Sequence, residues 1–371
     1  MTEKGKFVVT PWEVKGKIDY NKLIKEFGLK PMEELPEVFN KNLLFRRKKI
    51  FAHRDFGKIV DAVLHKKPFV MMTGLMPTGK FHIGHAVLAR QFLFYQALGA
   101  KLYIAVADIE AYNARGQSLE ESRRIAIDQY ITNYIALGLK PENCEIYFQS
   151  DRSKDPKKAN AFYRLQNLLA RHATFNEFKA VYGDVSPGKM MCGLLQASDM
   201  LHSQLPEFEG DLPVFIPVGV DQDPHIRLAR DLSARIKEQK FKQIASTYHL
   251  FVPGLNGDKM SASDPNSYIA LTDDAKTVKN KVNKYAFSGG RTTVEEHRKH
   301  GGNPDVDVSY QWLTFFEEDD DRLKQIHDDY KSGKLLSGEL KAILIEKLNN
   351  FLAEHQKKRE EAKKQVDKFL K

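Results

Sequence analysis

The stretch MTGLMPTGKFHIGHAVLAR, residues 72–90, decides how the rest of the chain is read. The apolar run just before it, with Phe69, Val70 and Met71, predicts a buried strand over 67–72. Gly74, Pro77 and Gly79 then punctuate a turn, and Val87, Leu88, Gln91 and Phe92 follow at helical spacing. Strand, glycine-bearing turn and helix start together collect phosphate, because unpaired N–H groups and the positive end of the helix dipole point into one crevice. His82-Ile83-Gly84-His85 lies across that helix start. Two imidazoles three residues apart can face one ligand, and Gly84 removes a side chain where a flat base could lie on the backbone. Taken alone, H-x-G-H also fits two partly exposed histidines beside a helix cap.

Outward from this unit the alternation continues. A helix is predicted over 85–98, stopped by Gly99, and KLYIAV at 101–106 reads as a second strand. Ser118-Leu119-Glu120-Glu121 is a capping box opening a helix to about Leu137, and a third strand follows at 145–149. Strand–helix–strand order at this spacing predicts a parallel sheet with right-handed crossovers. Helix-rich sequence at 151–212 interrupts the pattern before a strand resumes at 214–218. In Asp221-Gln222-Asp223-Pro224, Asp223 reads as an N-cap with Pro224 at the first helical position, and 247–252 is the last strand. From Asp273 onward only helices are predicted, including 275–285, 310–316 and a long one from Gly338, with Glu354–Lys358 and Glu360–Lys364 as i,i+4 pairs. The expected fold class is α/β: a Rossmann-like parallel-sheet catalytic domain at 67–267 with a helical insertion at about 151–212. A basic N-terminal extension, 1–66, precedes it, and an all-helical domain, 268–371, follows.

The chain has 371 residues, 42% hydrophobic and 29% charged, enough for a sizeable core and two domains. A net charge of +9 suits a polyanionic partner without establishing one. The basic run Arg46-Arg47-Lys48-Lys49 reads first as a solvated face. Only Cys144 and Cys192 occur, which excludes a disulfide framework and a cysteine zinc cluster. Without an apolar run of membrane-spanning length or a secretory leader, a soluble cytoplasmic protein is expected, with no membrane partner.

A second string, Lys259-Met260-Ser261-Ala262-Ser263, follows the last predicted strand and a glycine-rich loop at 254–258. A lysine with two hydroxyls can follow charge developing on a transferring phosphoryl group and hold the leaving phosphates. By itself the string is an ordinary loop. Paired with H-x-G-H, it puts both elements at the carboxyl ends of strands in one sheet, where open α/β sheets bind ligands.

This pairing resembles the two signature motifs of class I aminoacyl-tRNA synthetases. KMSASDPNSYIALTD, KVNKYAFSGGR, GGNPDVDVS and LTFFEEDDDRL, with TPWEVKGKIDYNKLIKEFG and IFAHRDF ahead of them, are similar to tryptophanyl-tRNA synthetases of the archaeal and eukaryotic kind. The resemblance implies adenylation of L-tryptophan by Mg·ATP, transfer to tRNA(Trp), a homodimer, and no tightly bound cofactor or protein-held metal. It assigns His82 and His85 to the phosphates and Gly84 to the adenine, with Thr78, Gly219 and Met260 also in the ATP site. Lys259, Ser261 and Ser263 would hold pyrophosphate, and Asp221 the ribose hydroxyls. Glu110, Gln196 and Gln222 would take the ammonium group, and Arg291 the anticodon.

The side-chain pocket departs from the eukaryotic pattern, which typically places tyrosine and glutamine where this chain has Met72 and Ala105. Neither can accept an indole N–H, whose burial unpaired would cost about 1–3 kcal/mol. Asp199, in Gln196-Ala197-Ser198-Asp199, is the replacement acceptor, resembling a bacterial tryptophanyl segment. Tyrosyl enzymes keep an aspartate there too, so tyrosyl specificity stays open as the nearest alternative. A non-catalytic tRNA-binding descendant is the second.

Overall fold

Continuous apolar runs in the predicted strands have a direct cause: helices cover both faces of the sheet. The computed structural model describes residues 19–258, 260 and 264–370, together with the backbone of a two-stranded hairpin at Val8–Val9 and Val14–Lys15. The main sheet comprises β1 (Lys30–Pro31), β2 (Ile50–Arg54), β3 (Val70–Leu75), β4 (Lys101–Val106), β5 (Cys144–Phe148), β6 (Val214–Gly219) and β7 (Ala245–His249). Its order is β1-β2-β7-β6-β3-β4-β5. β3 to β7 run parallel, whereas β1 and β2 are antiparallel additions at the β7 edge. The chain builds outward from β3 through β4 and β5, then crosses back to β6. The β3–β6 seam is therefore the point where strand order reverses, and ligand crevices open there.

Period-2 alternation sorts side chains between two cores. Met71, Leu102, Ile104 and Ile146 face one, shared with helix α1 (Ile83–Ala97). Met72, Tyr103, Ala105, Tyr147 and Ile216 face the other, roofed by the insertion helices Pro156–His172 and Pro187–Leu201.

The N-terminal segment is knitted into this framework. β2 extends the sheet, and Arg54 forks onto Asp223 with 2.8 and 2.9 Å bonds. Tyr248 donates to the same carboxylate at 2.5 Å. Asp223 is therefore not an N-cap: it is the first residue of helix Asp223–Arg235, and Gln222 precedes that helix without a side-chain cap. Arg227, one turn on, also pairs with it at 3.1 Å, but Arg54 and Tyr248 lie far off in sequence, beyond the reach of a local capping rule. Asp223 is fully buried, so removing Arg54 leaves much of its charge uncompensated. Arg54→Met is expected to destabilise the fold by about 3 kcal/mol in urea unfolding.

Arg46 and Arg47 are not merely solvated, although Arg46 stays exposed. Both pair with Asp320, Arg46 also reaches the Glu318 carbonyl, and Arg47 the Thr314 carbonyl at 3.1 Å. They tie the N-terminal segment to the C-terminal helices Val308–Phe316 and Asp320–Lys331. The terminal helix, Ser337–Lys363, buries Leu340, Leu344, Leu348 and Leu352. Glu354 meets Lys358 as expected, but Glu360 meets Lys363 and Lys364 meets Glu361. No helix among the described residues is long and apolar enough to cross a membrane.

Candidate active site

The turn after β3 leads into α1, which begins at Ile83, two residues earlier than the pattern suggested. His82 is the N-cap. Its Nδ1 accepts the Gly84 N–H at 3.2 Å, while the His82 N–H donates to His85 Nδ1 at 3.2 Å. The rings stack at 3.8 Å. Because each Nδ1 accepts a backbone N–H, each neutral ring carries its proton on Nε2, giving two N–H donors at the positive end of a helix. Burial pushes His85 down to about 4 and His82 well below its ordinary value, so both are neutral at pH 7. They would meet an anion as hydrogen-bond donors.

The segment just downstream of the second string, residues 269–271, comes to the first string through backbone pairing. The Ile83 N–H donates to the Ile269 carbonyl and the Leu271 N–H to the Phe81 carbonyl, both at 3.0 Å. Tyr268 lies against the His82 ring at 5.0 Å. A Cβ on Gly84 would stand 3.3 Å from Met260 Sδ and 3.1 Å from the His82 ring, so only glycine fits there unstrained. Met260 thus sits on the H-x-G-H turn. Lys259, Ser261 and Ser263 lie outside the described residues.

Beside this turn, a cavity of about 320 Å3 opens at the carboxyl ends of β3, β4 and β6. Met72, Ala105, Glu110, Gln196, Asp199, Gly219 and Gln222 all line it. Glu110 enters from helix Asp108–Arg115, directly after β4, and Gln196 and Asp199 from the insertion helix one turn apart. The Gln196 side chain is turned inward: its Nε2 donates to Glu110 Oε2 at 2.8 Å, and its buried Oε1 has no partner among the described residues. Such an acceptor beside a carboxylate is fitted to a cationic donor. Burial pushes Glu110 up to about 7, against the opposing bond from Gln196.

Asp199 is held from two sides. Tyr147 OH donates to Oδ1 at 2.6 Å and Gln149 Nε2 to Oδ2 at 2.7 Å. Burial raises Asp199 to about 7, partly offset by those donors and by buried Arg152. The carboxylate retains lone pairs for one more donor from the cavity. Tyr147 and Gln149 were missed in the sequence. Their spacing of two at the end of a strand, which puts both on one face, was the available signal.

Neither Thr78 nor Asp221 lines this cavity. Thr78 stands in the turn before the histidines, and Asp221 is buried in the short turn Val220–Gln222 after β6. A Cβ on Gly219 would lie 2.6 Å from Asp221 Oδ1, which explains the glycine. Arg291 lies in the C-terminal region, exposed, its Nε donating to the Gly301 carbonyl at 3.0 Å. Among the described residues no cluster of three or more His, Cys, Asp or Glu could hold a metal.

The family model for class I tRNA synthetases (W and Y) matches residues 64–353. Tryptophan–tRNA ligase of Aeropyrum pernix is 43% identical over 95% of both chains. That of Methanocaldococcus jannaschii is 42% identical over 98% of both. The solved tryptophanyl-tRNA synthetase of A. pernix superposes with a TM-score of 0.89 at 43% identity, covering 95% of this chain and 96% of that one. The Plasmodium falciparum enzyme gives a TM-score of 0.83 at 33% identity, covering 95% of each. The chain belongs to the class I tRNA synthetases of the W and Y group.

Proposed function

We infer that this chain is an ATP-dependent tryptophan–tRNA ligase. Its archaeal relatives carry the reaction class, and one observation in the fold supports the chemistry: Phe81–Leu271 pairing and the Met260–Gly84 contact bring the segment around the second string against the H-x-G-H turn. The tryptophan carboxylate attacks the α-phosphorus of ATP in line. A carboxylate-oxygen-to-phosphorus bond forms, the bond to the bridging oxygen breaks, and pyrophosphate leaves. Mg2+ arrives with the nucleotide. A hydroxyl of the 3′-terminal ribose of tRNA(Trp) then attacks the aminoacyl carbonyl, forming the ester and giving up its proton, as the acyl–phosphate bond breaks and AMP leaves.

In this reading the Nε2–H groups of His82 and His85 donate to phosphate oxygens, the backbone at Gly84 and Met260 packs the adenine, and Thr78 and Gly219 border the nucleotide. Asp221 binds the ribose. Lys259, Ser261 and Ser263 hold the departing pyrophosphate. Glu110, Gln196 Oε1 and Gln222 receive the ammonium group, Met72 and Ala105 leave apolar room for a bicyclic ring, and Asp199 accepts the indole N–H. The helical region from 268 reads the anticodon, with Arg291 presenting a donor fork to a base edge. A homodimer working in the cytoplasm completes the proposal.

Amino-acid-dependent ATP–pyrophosphate exchange, run with tryptophan and tyrosine in parallel, tests it. Exchange with tryptophan alone is expected. Exchange with tyrosine alone would overturn the roles given to Met72, Ala105 and Asp199.

A pH dependence follows from the two pocket carboxyls. Both titrate near 7 in the unliganded protein and must be ionised to bind, so tryptophan affinity falls as pH drops. The expected loss is about tenfold per group between about pH 8 and 6, read by titration calorimetry. Stability of the unliganded fold runs the other way. The folded state holds these protons more tightly than the unfolded state, so their contribution is complete below about pH 4 and is lost as pH rises through about 7. Tryptophan affinity that is flat across this range would remove both groups from recognition.

A further inference from the structure

The helix predicted to run unbroken from Ser118 carries a π-helical segment, Ala126–Ile131, between Leu119–Ile125 and Thr132–Ala136. A π turn holds an extra residue, costs hydrogen-bond geometry, and persists where something compensates. Three consecutive carbonyls in this one are taken by side chains. Thr132 Oγ1 donates to the Ile127 carbonyl at 2.7 Å, Arg359 Nη2 to that of Asp128 at 2.9 Å, and Asn133 Nδ2 to that of Gln129 at 2.5 Å. Arg359 also grips Asp128 Oδ1 at 2.6 Å, and His355 Nε2 meets Asn133 Oδ1 at 2.7 Å. Arg359 and His355 both belong to the terminal helix.

The residues that this turn displaces point at the H-x-G-H segment. Tyr130 OH donates to the Thr78 carbonyl at 2.8 Å, and its ring stands edge-on to His85 at 5.3 Å and to Phe81 at 5.6 Å. Gln129 Nε2 donates to Asp128 Oδ2 at 2.6 Å, which turns its Oε1 toward the Phe81 N–H at 3.4 Å. Bonds therefore run from Arg359 through Asp128 and Gln129 to the residue before His82. A second contact from the same turn holds the loop at Thr78.

We propose that the π turn positions the His82–His85 segment for ATP, with Tyr130 and Gln129 as positioning residues and Arg359 of the terminal helix setting the turn. None of the three needs to reach substrate; each acts through the backbone of the segment. The proposal rests on the reading of His82 and His85 as phosphate donors. It gives the C-terminal helical region a part in adenylation that does not depend on tRNA.

ATP–pyrophosphate exchange by the full-length protein, with ATP and tryptophan varied separately and thermal melting followed alongside, tests this. Tyr130→Phe and Gln129→Leu are each expected to raise the KM for ATP or lower kcat about fivefold, the usual worth of one hydrogen bond, with the tryptophan KM unchanged. Arg359→Met should shift the same parameters, and Arg359→Lys should restore part of the loss. ATP parameters unchanged in Tyr130→Phe and Gln129→Leu would overturn the proposal. So would losses that merely track the folded fraction, with both KM values at the wild-type level. Wild-type protein separates the two levels of inference. No exchange by wild type would overturn the ATP reading and the proposal together, whereas exchange by wild type and equally by the variants would overturn the proposal alone.

Discussion

Replacing Lys259 by alanine is expected to slow adenylation about 10²–10³-fold at saturating substrate while changing tryptophan affinity less than about twofold. The reason is the timing of the charge. Negative charge builds on the leaving pyrophosphate only as the bond to the α-phosphorus breaks, so a lysine that meets it stabilises the transition state more than the ground state. Met260 packs against Gly84, and the Leu255 N–H donates to the Ser267 carbonyl at 2.8 Å, anchoring the loop on both sides of the lysine. Single-turnover formation of the adenylate, set beside equilibrium titration with tryptophan, separates the two effects. A loss confined to tryptophan affinity would take Lys259 out of the chemistry.

Asp199→Ala is expected to lower kcat/KM for tryptophan about 10²-fold, with the KM for ATP nearly unchanged, because a charged acceptor for a buried donor is worth about 1.5–3 kcal/mol. The substitution also strands two donors, Tyr147 OH and Gln149 Nε2, so part of its effect is on the fold. Asp199→Asn separates these contributions. It keeps the volume and one acceptor, and should melt closer to wild type while still binding tryptophan weakly. Equal losses for tryptophan and ATP would mean that the aspartate supports the cavity wall and does not read the indole. Wild-type tryptophan binding in both variants would assign the indole N–H to another acceptor, with Gln149 the first to examine.

The parallel sheet was legible in the sequence because its evidence is local. Apolar runs of strand length, glycine and proline punctuation, and capping residues each occupy a few neighbouring positions. β4 to β6 lie within one residue of the expected bounds, and β3 starts and ends three residues later than expected. Family membership was legible for a similar reason: long strings survive as strings. Glu110, Gln196 and Gln222 were named from the family pattern, and Asp199 from its Gln196-Ala197-Ser198-Asp199 setting, and the fold gathers all four around one cavity.

Partners distant along the chain were decided only by the tertiary structure. Asp223 looked like a helix cap because its own neighbours permit it, yet besides Arg227 one turn on it is held by Arg54, 169 positions away. Arg46 and Arg47 looked solvated because no acid lies near them in sequence, and Asp320, 274 and 273 positions on, takes both. The π turn is the clearest case. An Ile- and Ala-rich amphipathic stretch encodes a helix, while the extra residue in its turn is held by Arg359, 231 positions away. Periodicity and capping specify which face is buried and where an element stops. Which buried charge or carbonyl finds which donor is set when the sheet and the terminal helix come together, and the surroundings of His82 and His85 are settled at that stage.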